Sequence, residues 1–517
     1  MFKRTFIKYK SIIYYYSMHK NNSQKSFTSK YEKELSQNSI YPLDNEVIKL
    51  ISDINLREED DDFAIYRYQK NIKKIWKLLI QKSIICLRYF DTREPFQEKN
   101  KKIPYAYGVN ELSDYFKKYS DFEEVLYGGA KYYRDHVIHV FRVWILGICK
   151  LLEDDCKYLD YIEVEKGYEV NALEKVSIWT IISLTHDLGY PLEKALKIFD
   201  RTKDMMTFFI NNPKANMDIS FSGVQNSMND YVLRFISSKM WEVNTENHKI
   251  KINSDINIEN NKNKKFVTRL QPKYYFKFQK SLEHNEHGVI SSLIIYKLLL
   301  FFLESDYSIN EDYMFCYEDT RQFYIRREIL RSIASHTCHD IYQMDIFKFS
   351  FLLIICDDAQ EWGRKSISEL YVNKSNKYSF GSIDLDLQGD VSNSCLFRDN
   401  QELNDTSQLK ILLRNFYKQS ETYRSVFRDG QDTVKRNFNF TRQWGIIWSD
   451  SDGNISYIVK LDVSQDEQTK LTIKRTDEAK ISTSDVLLSS FNKFLEDIGG
   501  DGFVLETDKK SAVFYLK

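Results

Sequence analysis

The chain is short of proline, cysteine, net charge and long apolar runs. Six prolines in 517 residues, beside abundant Asn, Lys, Ile and Tyr, reflect a composition bias without functional content. Seven cysteines (Cys86, Cys149, Cys156, Cys316, Cys338, Cys356, Cys395) are scattered, odd in number and never spaced as CxxC. That pattern argues against a disulfide framework and a zinc ribbon, and it suits a reducing cytoplasm. Lys+Arg and Asp+Glu both number 74, so net charge offers no general attraction to nucleic acid or an anionic membrane. The longest apolar runs, "SSLIIYKLLLFFLE" and "IFKFSFLLIIC", are each broken by a lysine and fall short of the ~20 residues of a membrane span. Near the start, Lys8 and Lys10 interrupt any apolar stretch and no small-residue cleavage site follows, so no secretory leader is expected. The expectation is a soluble cytoplasmic protein with no membrane partner.

What is present divides by periodicity. Residues 1–40 show no clear period and read as a poorly ordered lead-in. Residues 41–372 read as an all-α domain: "EVIKLISDI", "NIKKIWKLLIQKSIICLRYF", "HVIHVFRVWILGICKLLED" and "KVSIWTIISLTHD" carry apolar residues at i, i+3 and i+4. The acidic run from Arg57 to Phe63 reads as a solvated loop. A polar, Asn/Lys-rich insertion or mobile loop is expected at about 210–280. Residues 376–517 change to a two-residue period and predict a smaller α+β domain. There "GIIWSDSDGNISYIVKLDV" reads as a hairpin turning at Asp452-Gly453-Asn454, and "SQLKILLRNFY" and "SDVLLSSFNKFLEDIGG" read as helices. The expected class is mainly α.

Nine histidines are few, and seven fall in four stretches: "RDHVIHVFRV" (His136, His139), "THDLGYP" (His186), "EHNEHGVISS" (His284, His287) and "ASHTCHD" (His336, His339). Three stretches set two histidines three residues apart, a spacing that puts both on one helix face. "LLIICDDAQEWGR" ends another apolar run in Asp357 and Asp358. A single histidine on an apolar helix is usually a hydrogen-bonded core residue. Five such segments are another matter, because buried His and Asp are costly without partners and a shared divalent cation removes that cost in one arrangement.

The order of these parts resembles the HD-domain superfamily of metal-dependent phosphohydrolases. In "HVFRV", His139 takes the position of the family's early histidine, with His136 as the alternative. His186 and Asp187 form the His-Asp pair, and Asp357 is similar to the closing aspartate, with Asp358 as its rival. His287 and His336 match the added histidines of members with expanded sites. The resemblance spans roughly residues 130–365 and says nothing of the C-terminal domain. It implies two divalent ions (Mn, Fe, Mg, Co or Zn) held by His139, His186, Asp187, His287, His336 and Asp357, with Asp187 bridging. Hydrolysis of a phosphoester by metal-activated water follows, with a small phosphorylated substrate, a nucleotide, as the expected class. Asp187, His136, His284 and His339 are the candidate catalytic residues, and Arg134, Arg142 and Arg364 the candidate phosphate contacts. Trp362 and Tyr190 read as core aromatics that could instead stack on a base. Two rival readings are an HD-type nuclease, which the balanced charge disfavours, and a non-catalytic, ligand-sensing metal module.

Overall fold

The computed structural model describes residues 45–52, 64–91, 106–129, 135–152, 157–209, 223–244, 249–250, 264–305, 307–310, 312–338, 341, 346–360, 382–388, 393–403, 438–450, 453–464, 469–476, 486–497, 504–505 and 511–516. The lead-in, the acidic run, Arg134, His339, Trp362, Arg364 and the "SQLKILLRNFY" segment lie outside the described residues. The chain divides into two compact units, the first mostly within residues 1–340 and the second mostly within 372–517.

The first unit is mainly helical. Its helices are α1 (Asn45–Ser52), α2 (Ala64–Tyr89), α3 (Val109–Gly129), α4 (Val137–Leu152), α5 (Lys157–Tyr161), α6 (Ala172–Thr185), α7 (Tyr190–Met206), α8 (Gly223–Ser237), α9 (Pro272–Glu283), α10 (His287–Leu298), α11 (Leu300–Leu303) and α12 (Tyr317–Ser335). The division between units falls inside α13 (Phe349–Ala359), one continuous helix that begins in the first unit and is described with it.

The core is organised around α6. Asn171 and Glu174 close a reciprocal capping box at its start, which satisfies donors that a helix end otherwise leaves open. From there it is buried all round, so its neighbours α2, α4 and α12 enclose it. Three tryptophans fix the packing. Trp76 of α2 donates its indole N–H to the Leu184 carbonyl at 2.7 Å, Trp144 donates to Thr180 Oγ1 at 3.1 Å, and Trp179 donates to the Trp144 carbonyl at 3.1 Å. Gly147 lets α4 approach, since a Cβ there would sit 2.0 Å from the Trp179 ring. A rigid central helix therefore delivers its C-terminal residues, His186 and Asp187, to a fixed place.

The all-α expectation for 41–372 needs correction. A four-stranded sheet in the order β2-β1-β3-β4 sits within the helical unit, built from β1 (Ser238–Asn244), β2 (Lys249–Ile250), β3 (Lys265–Leu270) and β4 (Met314–Phe315). The stretch expected as a polar insertion at 210–280 therefore holds α8, three strands and the start of α9. The physical reason is pairing across the polar run: β1 and β3 match antiparallel from Ser238↔Leu270 to Val243↔Lys265, burying Met240, Val243, Phe266 and Val267. Tyr324 of α12 clamps this sheet, its hydroxyl bonding both the N–H and the carbonyl of Met240 at 3.1 Å.

The second unit carries a seven-stranded sheet in the order β10-β11-β9-β8-β7-β6-β5. Its strands are β5 (Ser382–Leu387), β6 (Asn393–Leu403), β7 (Phe438–Asp450), β8 (Gly453–Ser464), β9 (Thr469–Arg475), β10 (Val504–Leu505) and β11 (Ser511–Leu516), with α14 at Val486–Asp497. Alternation selects one buried face, where Phe440, Trp444 and Ile446 pair with Val463, Val459 and Tyr457. The hairpin is present one residue earlier than expected: Asp450 pairs with Gly453, so Gly453 and Asn454 begin β8. Antiparallel pairing prevails except between β6 and β7, which run parallel.

No helix among the described residues is long and apolar enough to cross a membrane. No cysteine among them forms a disulfide.

Candidate metal centre

Four helix ends converge on Asp187. His139 sits in the first turn of α4, where the Asp135 carboxylate accepts the Ile138 N–H at 2.7 Å and settles the helix start. His186 and Asp187 leave the end of α6. His287 opens α10, His336 caps the end of α12, and Asp357 lies on α13. All four histidine side chains and Asp187 are buried or mostly buried.

The two oxygens of Asp187 face different histidines. Oδ2 lies 3.5 Å from His139 Nε2 and 3.5 Å from His186 Nε2. Oδ1 lies 3.2 Å from His287 Nε2 and 3.7 Å from His336 Nε2, and those two ring nitrogens are 3.2 Å apart. Bonds of ~2.0–2.2 Å from one tetrahedral cation put donor atoms roughly 3.3–3.6 Å apart. The two 3.5 Å distances at Oδ2 fall in that range, and the 3.2 and 3.7 Å distances at Oδ1 lie just to either side of it. The ligand atoms of His139, His186 and Asp357 lie within 4.8 Å of one another, as do those of His186, Asp187 and His336.

The tautomers fit ligation. His186 Nδ1 donates to the Ser183 carbonyl at 2.8 Å and His336 Nδ1 to the Ile333 carbonyl at 2.5 Å. A carbonyl only accepts, so the neutral ring carries its lone pair on Nε2, toward Asp187. His287 Nδ1 bonds Glu193 Oε2 at 2.7 Å, which turns its Nε2 the same way. The donor set of imidazoles and carboxylates without thiolate fits a first-row divalent ion.

Electrostatics agree with the geometry. Burial works to raise the Asp187 carboxyl, but His186 beside it and the hydrogen bond from His287 hold it well below the ordinary carboxylate range. Burial opposes charge on His287 as well, yet its bonds to Asp187 and Glu193 lift it to about 9. Burial lowers His336.

The rival candidates sit in different surroundings. His139, not His136, points at Asp187. His136 is engaged by Glu123, which lies 3.4 Å from its Nδ1 and accepts its backbone N–H at 2.7 Å, and its ring lies tilted by 30° against that of Tyr190 with centroids 3.8 Å apart. Of the two adjacent aspartates, Asp357 is the one grouped with His139 and His186.

His284 departs from expectation. It is exposed at the end of α9, and Asn285 with φ 55° followed by extended Glu286 breaks the helix before His287. The three-residue spacing there spans a helix junction, not a helix face. His336 follows the last residue of α12. Arg142 is buried on α4, one turn beyond His139.

Two residues near the centre escaped the sequence reading, Glu193 and Glu123, while Tyr190, expected as a core aromatic, is half-buried. Tyr190 lies against His136 and has its ring centroid 5.3 Å from that of His287. Glu193 falls in the first turn of α7, where a carboxylate reads simply as compensation for the helix dipole. No family model, curated protein or solved structure matches the chain, so the site is read from its own geometry.

Proposed function

We propose that the chain is a metal-dependent phosphohydrolase of the HD type acting on a small phosphorylated substrate of the nucleotide class. The observation that carries the reading is the single buried carboxylate, Asp187, with one oxygen turned to His139 and His186 and the other to His287 and His336. His139, His186, Asp187 and Asp357 would hold one divalent ion, and Asp187, His287 and His336 a second. Ions bound there would supply hydroxide by lowering the pKa of water from 15.7 to about 7 and would neutralise charge on a phosphoryl oxygen.

The chain's own residues prepare that chemistry. The Ser183 and Ile333 carbonyls keep His186 and His336 in the ligating tautomer. His136, oriented by Glu123 and covered by Tyr190, is the candidate to protonate the leaving oxygen. The nucleotide class rests on the resemblance to the HD superfamily alone.

The test is a hydrolysis screen of nucleoside phosphates, cyclic nucleotides and simple phosphoesters. Protein would be stripped with chelator and reloaded with Mn, Fe, Co, Zn or Mg. Turnover that requires reloading and is absent in Asp187→Asn supports the proposal. Full metal loading with no hydrolysis across the panel would favour the non-catalytic sensing module.

A further inference from the structure

We infer that Glu193 is a positioning residue that builds the second cation position by holding the His287 ring. The inference rests on the two-ion reading above and deepens it. His287 is the first residue of α10, and its N-cap, Glu286, makes no side-chain cap, so the local backbone does little to fix the ring. The two histidines that meet Asp187 from a helix C-terminus are anchored differently. His186 and His336 use carbonyls three residues back in their own helices, Ser183 and Ile333. His287 has no preceding turn to supply such a carbonyl. Its anchor comes instead from a different helix, through Glu193 Oε2 at 2.7 Å.

Glu193 is itself held. It lies in the first turn of α7, and its other oxygen, Oε1, accepts from Lys194 Nζ at 3.2 Å. That ammonium rests over the Tyr190 ring, 4.4 Å from its centroid. Both oxygens of the carboxylate therefore have donors, Oε2 from His287 on α10 and Oε1 from Lys194 on its own turn. With His287 Nδ1 committed to Glu193, its Nε2 is left 3.2 Å from both Asp187 Oδ1 and His336 Nε2. Releasing the ring lets it rotate about its own side-chain bonds and disperses that three-atom set. Glu193 is not among the residues of the other group, His139, His186 and Asp357.

Titration of chelator-stripped full-length protein with Co2+, followed by visible absorption and elemental analysis, tests this. Wild type should bind two ions per chain. Glu193→Ala should weaken one of them by ~10- to 100-fold, the usual cost of losing a carboxylate behind a ligating histidine, and leave the other unchanged. Glu193→Gln should recover most of that loss, because its amide oxygen still accepts from His287 Nδ1. His287→Ala should lose the same ion that Glu193→Ala weakens. Two ions bound with unchanged affinity in Glu193→Ala would overturn the inference, and so would equal losses in the Ala and Gln variants. A wild type that takes up no cation would instead remove the two-ion reading itself.

Discussion

Asp187 and His287 meet at 3.2 Å because Gly189, two residues after the aspartate, has no side chain to hold α10 away. A Cβ on Gly189 would sit 2.4 Å from the His287 carbonyl oxygen and 2.8 Å from Ile290 Cβ. Gly189 N–H donates to Ser291 Oγ at 2.8 Å, so the turn after the His-Asp pair is stitched to α10. Gly288 performs the same service toward α12: its Cβ would meet Thr337 Oγ1 at 2.6 Å and the Ile333 carbonyl at 2.7 Å. Close helix approach, not helix propensity, brings the donor atoms together.

Gly288→Ala should therefore push α10 from α12 and widen the 3.2 Å gap between the His287 and His336 ring nitrogens. Overpacking of this kind costs ~1–3 kcal/mol, so the melting temperature should fall. One of two bound ions should be lost with it. Differential scanning calorimetry paired with elemental analysis checks both, and unchanged metal content in a destabilised variant would contradict the placement of the second position.

His139→Ala and His136→Ala should behave differently. The first removes a nitrogen 3.5 Å from Asp187 and should lower metal content. The second removes a ring held by Glu123 and Tyr190, and should retain metal while phosphoester turnover drops by about 10²- to 10⁴-fold, the usual contribution of a positioned general acid. Metal stoichiometry and rate measured on both variants decide the point. A His136→Ala protein stripped of metal beside a loaded His139→Ala would reverse the assignment.

A pH effect arises away from the centre. Burial tends to raise Glu165, but Arg327, Lys348 and Lys239 outweigh it and bring its pKa from 4.5 to about 2. Because the folded value is depressed, its contribution is fully present above about 4.5 and is lost as pH falls toward about 2. The contribution is of order 3 kcal/mol at neutral pH. Glu165→Gln should be clearly less stable than wild type at pH 7, with the difference shrinking through that acid window. Denaturant unfolding at several pH values reads it, and a difference independent of pH would show that the ion pair with Arg327 contributes nothing of this kind.

Much of this architecture is visible in periodicity. The apolar spacing of "HVIHVFRVWILGICKLL" and "KVSIWTIISLT" marks α4 and α6, since helices buried by tertiary contact keep their 3.6-residue pattern. The β7–β8 hairpin is visible too, apart from a one-residue shift in its turn. The small sheet is not, because its strands are short and separated by an Asn/Lys-rich run that dilutes their alternation. At the centre, composition points to the histidines and aspartates, but spacing misleads over His284, where a single positive-φ residue, Asn285, ends the helix. Glu193 is hidden for another reason. Its partner His287 is 94 residues away, and no local pattern connects them.

The central claim is that Asp187 serves two bound ions in phosphoester hydrolysis, and the most direct measurement compares wild type with Asp187→Asn. The amide keeps the size of the side chain but removes the charge and one acceptor oxygen. Metal content and hydrolysis of the best substrate from the screen should be read together on reloaded protein. The account predicts two ions and metal-dependent turnover in wild type. In Asp187→Asn both ions should be weakened, and turnover should fall further than the ~10- to 100-fold typical of an outer-shell change. An Asp187→Asn protein that holds two ions and hydrolyses its substrate at the wild-type rate would contradict it.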